Sequence, residues 1–156
     1  MTLSASTLAT KLKALPLYDD EGEAIAGFTD AFSDYFSGAM SNGLPISALA
    51  LPAAKTAMNS AMIALLSSNA ANALSLGIAA FWGALVPVTA WATVTAITPP
   101  PLLANLETDL LLTFSNNKTG KLDKDVSMTA IAAKIHTDNI GGLATWPSPV
   151  GAVAIT

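Results

Sequence analysis

The clearest helical pattern in the chain is DDEGEAIAGFTDAFSDYFSGAMSNG, residues 19–43. Its apolar side chains recur every three or four positions, which places them on one face of an α-helix. The acidic cluster at its start suits the positive end of the helix dipole, and Ser41-Asn42-Gly43 is a typical helix stop. The pattern therefore predicts an amphipathic helix whose core face consists of Ile25, Phe28, Phe32, Tyr35, Phe36 and Ala39.

Similar periodicity predicts further helices at residues 4–15, 51–66, 72–85 and 102–114. The last predicted helix is capped by Asp125 or Ser127 and ends at Asn139-Ile140-Gly141-Gly142, and residues 115–124 before it are expected to form a polar loop. In the helix at 72–85, small residues recur at a spacing that lets another helix approach closely: Ala73, Gly77, Ala80 and Ala84.

Residues 88–97 have an ambiguous pattern. Thr and Val favour a strand, and Thr89, Trp91 and Thr93 alternate with small apolar residues. We favour a helix narrowly, because no partner strand is evident before the C-terminus. Pro99-Pro100-Pro101 then forms a firm break.

The C-terminal segment, residues 143–156, is rich in proline, apolar and free of charge. It is predicted to be extended, and an exposed tail of this composition is unfavourable in water. The chain is therefore expected to form one mainly α domain: a compact bundle of about five to six helices over residues 1–142, followed by an extended C-terminal assembly arm over residues 143–156. Trp146 is expected either to anchor a partner surface or to pack on its own domain. The predicted assembly residues are Trp146, Pro147, Pro149, Val150, Val153 and Ile155.

The composition excludes several functional classes. The chain has seven Lys but no Arg, no Cys and one His, and only 12% of its residues are charged. Without Cys there is no disulfide framework, thiolate zinc site or cysteine catalysis. An acidic chain without Arg supplies neither phosphate clamps nor guanine readers, so no nucleic-acid partner is expected. The N-terminus shows no basic region followed by an apolar stretch, so no secretory signal is expected.

The charges are unevenly distributed. Residues 56–106 carry no charge, and within them residues 77–97 are long enough to cross a bilayer. Three observations favour a buried segment instead: a weakly apolar Ala, Thr and Gly content, no basic flank, and Trp82 and Trp91 only about 13 Å apart on a helix. A membrane partner is therefore not expected. The alternative is a membrane-active, holin-like protein with paired spans at 48–66 and 77–97.

His136 is the strongest catalytic candidate, with Asp138 two residues further on. A general base needs an orienting partner and a nucleophile, and no motif supplies that setting. Residues 115–126 mimic half of a calcium loop, but position 12 is Val126 rather than Glu. The acidic cluster at 19–23 is predicted to be a helix N-terminus. No catalytic, metal-binding or cofactor-binding residue is therefore predicted, and no cofactor or small-molecule substrate.

The layout resembles small structural (virion) proteins of tailed bacteriophages. The likeness is compositional over the whole chain, and it is carried by Phe81-Trp82, residues 93–101, Ala132-Ala133-Lys134-Ile135-His136-Thr137 and residues 145–152. The resemblance implies a non-enzymatic subunit of a head, neck, tail or baseplate, located in the virion after assembly in the host cytoplasm. Its partners would be copies of itself and other virion proteins. An enzyme using His136 is a further, less favoured alternative.

Overall fold

The chain folds as six α-helices of ten or more residues, one single-turn helix and five short strands, over the residues that the structure describes. The structure is a computed structural model that describes residues 3–65 and 69–156. The helices are α1 (Ala5–Ala14), α2 (Glu21–Phe36), α3 (Leu51–Ile63), α4 (Ala70–Ala84), α5 (Pro87–Ala90), α6 (Leu106–Gly120) and α7 (Lys124–Asn139). The strands are β1 (Met40–Ser41), β2 (Leu44–Pro45), β3 (Ala96–Thr98), β4 (Leu143–Trp146) and β5 (Gly151–Ala154). The predicted mainly α fold is confirmed.

Side-chain caps define three of the helix starts. Asp20, Asn69 and Asp123 each accept a hydrogen bond from a backbone N–H three residues later, at 2.8–2.9 Å. The prediction that Asp125 or Ser127 caps the last helix was wrong, because Asp123 caps it earlier. The predicted polar loop at 115–124 is also mostly helical. The helix α6 continues to Gly120. The polar side chains of residues 115–120 point to solvent or lie at the edge of the helix, which a helix allows as readily as a loop.

The predicted helix at 51–66 ends at Ile63 in α3, and Leu66 lies outside the described residues. The close helix approach predicted from small residues occurs within the chain, between α3 and α4. A Cβ built on Gly77 would lie 2.4 Å from Cγ of Met62, so only glycine fits there without movement.

An aromatic cluster from α2 and α4 forms the centre of the core. Phe32 and Phe36 meet the Phe81 ring edge-to-face with centroids 5.1 and 5.0 Å apart, and Phe36 meets Trp82 in the same way at 5.0 Å. Edge-to-face contacts of this length stabilise a core beyond simple burial. The helical face predicted for residues 25–39 is therefore the face that packs in the core.

Residues 88–97 are mainly not helical, contrary to the narrow preference for a helix. Only the single turn α5 is helical, and β3 then pairs antiparallel with β4, with Ile97 opposite Ala144. The partner strand comes from the C-terminal segment, so no local pattern indicated it. β4 also pairs with β5, which gives a three-stranded antiparallel sheet in the order β3-β4-β5.

The C-terminal segment is extended, as predicted, but it lies on its own chain rather than projecting as an arm. Thr156 exchanges two backbone hydrogen bonds with Met40, of 2.8 and 2.9 Å, which attaches β1 to the outer edge of the β4–β5 hairpin. The accessible surface of 7750 Å² is close to the value of about 7,400 Å² for a compact monomer of this mass. Ala144, Trp146 and Ile155 of this segment are buried in the domain core, so these three side chains need no neighbouring chain to cover them.

Candidate functional site

The structure divides the six predicted assembly residues into two groups. Trp146 and Ile155 are buried, with 6% and 1% of their surface exposed, and Val153 is half-buried. Pro147, Pro149 and Val150 form the exposed turn between β4 and β5, and Val150 is 47% exposed. Of the two alternatives for Trp146, the structure shows packing on its own domain. The assembly role of the exposed turn stays a prediction.

Trp146 is the anchor of the C-terminal hairpin. Its indole Nε1 donates to the hydroxyl of Ser41 at 3.1 Å, and that hydroxyl donates a longer hydrogen bond of 3.5 Å to the Val153 carbonyl. Ser41 is itself 2% exposed, so these bonds form away from water. They hold β1 beside β5 and fix the direction in which the exposed turn projects.

Three segments converge at the end of the sheet from which this turn projects. Antiparallel pairing of Met40 with Thr156 directs the β1–β2 turn toward the β4–β5 turn. The backbone N–H of Thr95 donates to the Thr145 carbonyl at 2.8 Å, and the indole Nε1 of Trp91 donates to the Leu44 carbonyl at 3.0 Å. We call residues 42–45, 91–95 and 147–150 together the sheet end.

The sheet end exposes apolar side chains and contains no charged residue. Leu44 is 52% exposed and Val150 47%. Leu49, which is 80% exposed, lies beside it in a 3-10 turn that Ser47 joins to Ala90 through a backbone hydrogen bond of 2.9 Å. The seven Lys and eleven Asp and Glu residues all lie in α1, α2, α3, α6 and α7 or in the α1–α2 and α6–α7 connections. The fold therefore separates a charged helical body from an uncharged, partly apolar end.

Both outer strands next to this end have features that disfavour strand addition. β2 consists of two residues and ends in Pro45, which donates no backbone hydrogen bond. β3 has three residues and is followed at once by Pro99-Pro100-Pro101. Short edge strands and proline block edge-to-edge pairing. Contacts at the sheet end would consequently be made by turns and side chains.

His136 is held by Tyr35 rather than by Asp138. The Tyr35 hydroxyl and His136 Nδ1 are 2.8 Å apart, and the two rings meet edge-to-face. Burial raises the pKa of the tyrosine hydroxyl and lowers the pKa of the imidazole. A neutral imidazole whose Nδ1 accepts a hydrogen bond from the neutral tyrosine hydroxyl satisfies both groups. His136 and Asp138, which the sequence offers as a candidate base and its orienting partner, are held by Tyr35 and Lys134 respectively, so the carboxylate does not orient the imidazole.

Asp138 instead belongs to a charged cluster between α6 and α7. Lys134 Nζ lies 2.7 Å from Asp109 and 3.4 Å from Asp138. The Asp138 side chain is 2% exposed, and its Oδ2 has no hydrogen-bond partner among the described residues. Burial raises the pKa of this carboxyl, and Lys134 only partly opposes the effect. The described part of the chain has no group of three His, Asp or Glu residues arranged to hold a metal ion.

A cavity of about 330 Å³ opens between α2, α3 and α4. Its walls are apolar, with Phe28, Met62 and Leu74 among them, and Glu21 lies at its rim. Glu21 is the one charged residue among the described residues that line it. Among the helices that the structure describes, none is long and apolar enough to cross a membrane.

The sequence did not indicate the role of Ser41, which holds the hairpin, or that Leu44 and Leu49 are exposed at and beside the sheet end. Residues 35–54 contain no charged side chain, and this uncharged stretch is the sequence feature that could have indicated them. The pairing of β1 with the C-terminus brings this stretch beside the two other uncharged segments, residues 56–106 and 143–156. No family model, no curated protein and no solved structure matches this chain.

Proposed function

We propose that this chain is a non-enzymatic structural subunit of a large symmetric assembly, a virion component of the tailed-phage type located in a head, neck or tail. It assembles with copies of itself and with other virion proteins through the sheet end. The separation of charge from the sheet end supports this proposal most directly.

The physical argument concerns what the sheet end can contact. The chain has a formal net charge of −4, so two copies repel each other when their acidic helices meet. The uncharged sheet end lets copies approach without desolvating a charge, which is costly unless the charge is paired. Burying Leu44, Leu49 and Val150 in such a contact would contribute roughly 25 cal/mol per Å² of apolar surface.

The resemblance to small virion proteins supports the same role, because such proteins act through repeated contacts. The holin alternative requires spanning helices, and the described helices do not supply them. The alternative of an enzyme using His136 lacks its orienting carboxylate, because Asp138 lies with Lys134.

The proposal is tested by the oligomeric state of the purified protein over a range of concentrations. Wild-type protein should form oligomers of defined stoichiometry by mass photometry and sedimentation. Val150→Asp and Leu44→Asp, which place charge in the sheet end, should shift the population toward monomer.

Leu17→Asp is the matched control, because Leu17 is 87% exposed. Leu17 lies before the start of α2, whereas residues 42–45 of the sheet end lie after its end. The 16-residue helix α2 separates the two places by about 24 Å. Leu17→Asp should keep the wild-type oligomers. A wild-type protein that stays monomeric at every concentration would overturn the proposal.

The virion assignment has its own measurement, which is quantitative mass spectrometry of purified phage particles that carry this gene. The chain should be present in many copies per particle. Its absence from particles would overturn the virion role even if the purified protein forms oligomers.

A further inference from the structure

The outer face of α6 carries an uncharged stripe that no part of the described chain covers. Its residues recur every three or four positions and are all exposed: Thr108, Leu111, Leu112, Ser115, Asn116 and Thr119. Leu111 is 44% exposed and Leu112 is 60% exposed. The opposite face of α6 is already used, because Leu106 and Leu110 are fully buried. The outer face of α6 therefore exposes two leucines among short uncharged polar side chains, in addition to the apolar face that packs in the core.

The positions in this stripe are symmetric about the middle of the helix. Thr108 and Thr119 are eleven residues apart, which is three helical turns, so they lie on one face near opposite ends. Leu112 and Ser115 are equally distant from the midpoint. In an antiparallel contact with an identical helix, Leu112 of each copy lies beside Ser115 of the other. The short side chains in the stripe suit the 8–10 Å separation of packed helices.

Charges along one edge of the stripe favour the same orientation. Glu107 and Lys118 are also eleven residues apart, so they flank the stripe on one edge, about 16 Å apart along the axis. One carboxylate oxygen of Glu107 accepts from Asn72 at 3.1 Å, and Lys118 is exposed. An antiparallel pair brings each Glu107 to Lys118 of the other copy. A parallel two-fold pair places the charged edges of the two copies on opposite sides of the contact, so Glu107 and Lys118 gain no partner there.

We infer that a second copy of this chain packs its α6 antiparallel against this stripe, about a two-fold axis near residues 113–114. The inference rests on the proposed function, since it presumes that the chain assembles with itself. A two-fold contact requires a self-complementary surface, and both the stripe and its flanking charges have that property.

This contact is separate from the sheet end, so each copy has two different places at which to join others. A single helix pair buries less surface than the 1,200–2,000 Å² of a stable interface. The α6 contact is therefore weak by itself, and it gains strength when sheet-end contacts with further copies already hold the subunits in one assembly. Two weak contacts per subunit are sufficient to build an extended assembly.

The absence of cysteine makes a direct test simple, because an introduced thiol is unique. Thr108→Cys and Thr119→Cys are prepared separately, mixed with the sequence otherwise unchanged, and treated with a short thiol-specific cross-linker. The antiparallel contact predicts that the mixed 108–119 product exceeds the 108–108 and 119–119 products. Thr10→Cys, on the exposed face of α1, measures random collision.

The flanking charges supply a second test. Lys118→Glu sets two carboxylates opposite each other and should lower the mixed cross-linked fraction about fivefold. The double variant Glu107→Lys with Lys118→Glu restores opposite charges and should recover most of it. Circular dichroism of both variants verifies that α6 is intact.

The outcomes separate this inference from the proposed function. Wild-type oligomers that depend on Val150, together with 108–119 cross-linking no greater than the Thr10→Cys control, would overturn the α6 contact alone. Dominant 108–108 and 119–119 products would overturn the antiparallel orientation. Wild-type protein that never associates would overturn the proposed function as well.

Discussion

The indole of Trp146 donates a hydrogen bond of 3.1 Å to the hydroxyl of Ser41, across 105 residues of sequence. This bond joins the C-terminal hairpin to the short strand that follows α2. It explains why a segment without charge and rich in apolar residues is compatible with a folded monomer. Trp146 holds the hairpin on the domain, whereas Val150 in the turn of the same hairpin is exposed.

Trp146→Ala should lower the free energy of unfolding by about 3–5 kcal/mol, because it removes a large buried ring and leaves a cavity. Val150→Asp, four residues further on but exposed, should change it by less than about 0.5 kcal/mol. Urea denaturation followed by far-UV circular dichroism measures both. If Trp146→Ala were as stable as wild type, the hairpin would not be part of the domain core.

The two glycines of α4 should respond to alanine in opposite directions. Gly77→Ala places a Cβ 2.4 Å from Met62 Cγ and should destabilise the fold by about 1–3 kcal/mol. Gly83→Ala meets nothing within 4 Å and should stabilise it by up to about 1 kcal/mol, because alanine favours the helix.

The thermal midpoints of the two glycine variants provide the comparison. Adding Met62→Ala to Gly77→Ala makes room for the new methyl group, so the two losses should be less than additive. Full additivity would contradict the close contact between α3 and α4.

A buried polar link between α4 and α7 should also be measurable. The indole Nε1 of Trp82 donates to Asn139 Oδ1 at 2.7 Å, and both residues are at most 2% exposed. Asn139→Ala leaves this donor unpaired and should cost about 1–3 kcal/mol. A double-mutant cycle with Trp82→Phe isolates the hydrogen bond. Zero coupling energy would show that the two side chains do not interact.

His136 should titrate below its ordinary pKa of about 6.5, because burial disfavours the imidazolium. As the folded protein has the lower pKa, this residue's contribution to stability is fully present above pH 6.5. It is lost as the pH falls from there through the folded-state pKa. The chain has one histidine, so its ring resonance in an NMR titration is assigned directly. Urea-unfolded protein is the control, and equal midpoints in both states would contradict the buried environment.

Local patterns predicted the helices well because their determinants lie within a few residues. Asp20 precedes an apolar stripe with a spacing of three and four, and both signals act within one or two helical turns. The limits of α6 and α7 were less well predicted. Polar residues on the solvent side of a helix resemble a loop in sequence, so the continuation of α6 to Gly120 was missed.

The sequence by itself determined the fold class, the apolar faces of the helices and the uneven distribution of charge, since composition and short-range spacing carry that information. Tertiary structure alone decided that β3 has a partner in β4, that Trp146 lies against Ser41, and that the uncharged segments meet at one end. Those contacts join residues about 50 to 105 positions apart. They form because apolar groups from distant parts of the chain are buried together in one core. Which distant groups meet cannot be deduced from the spacing of residues within a few positions of each other.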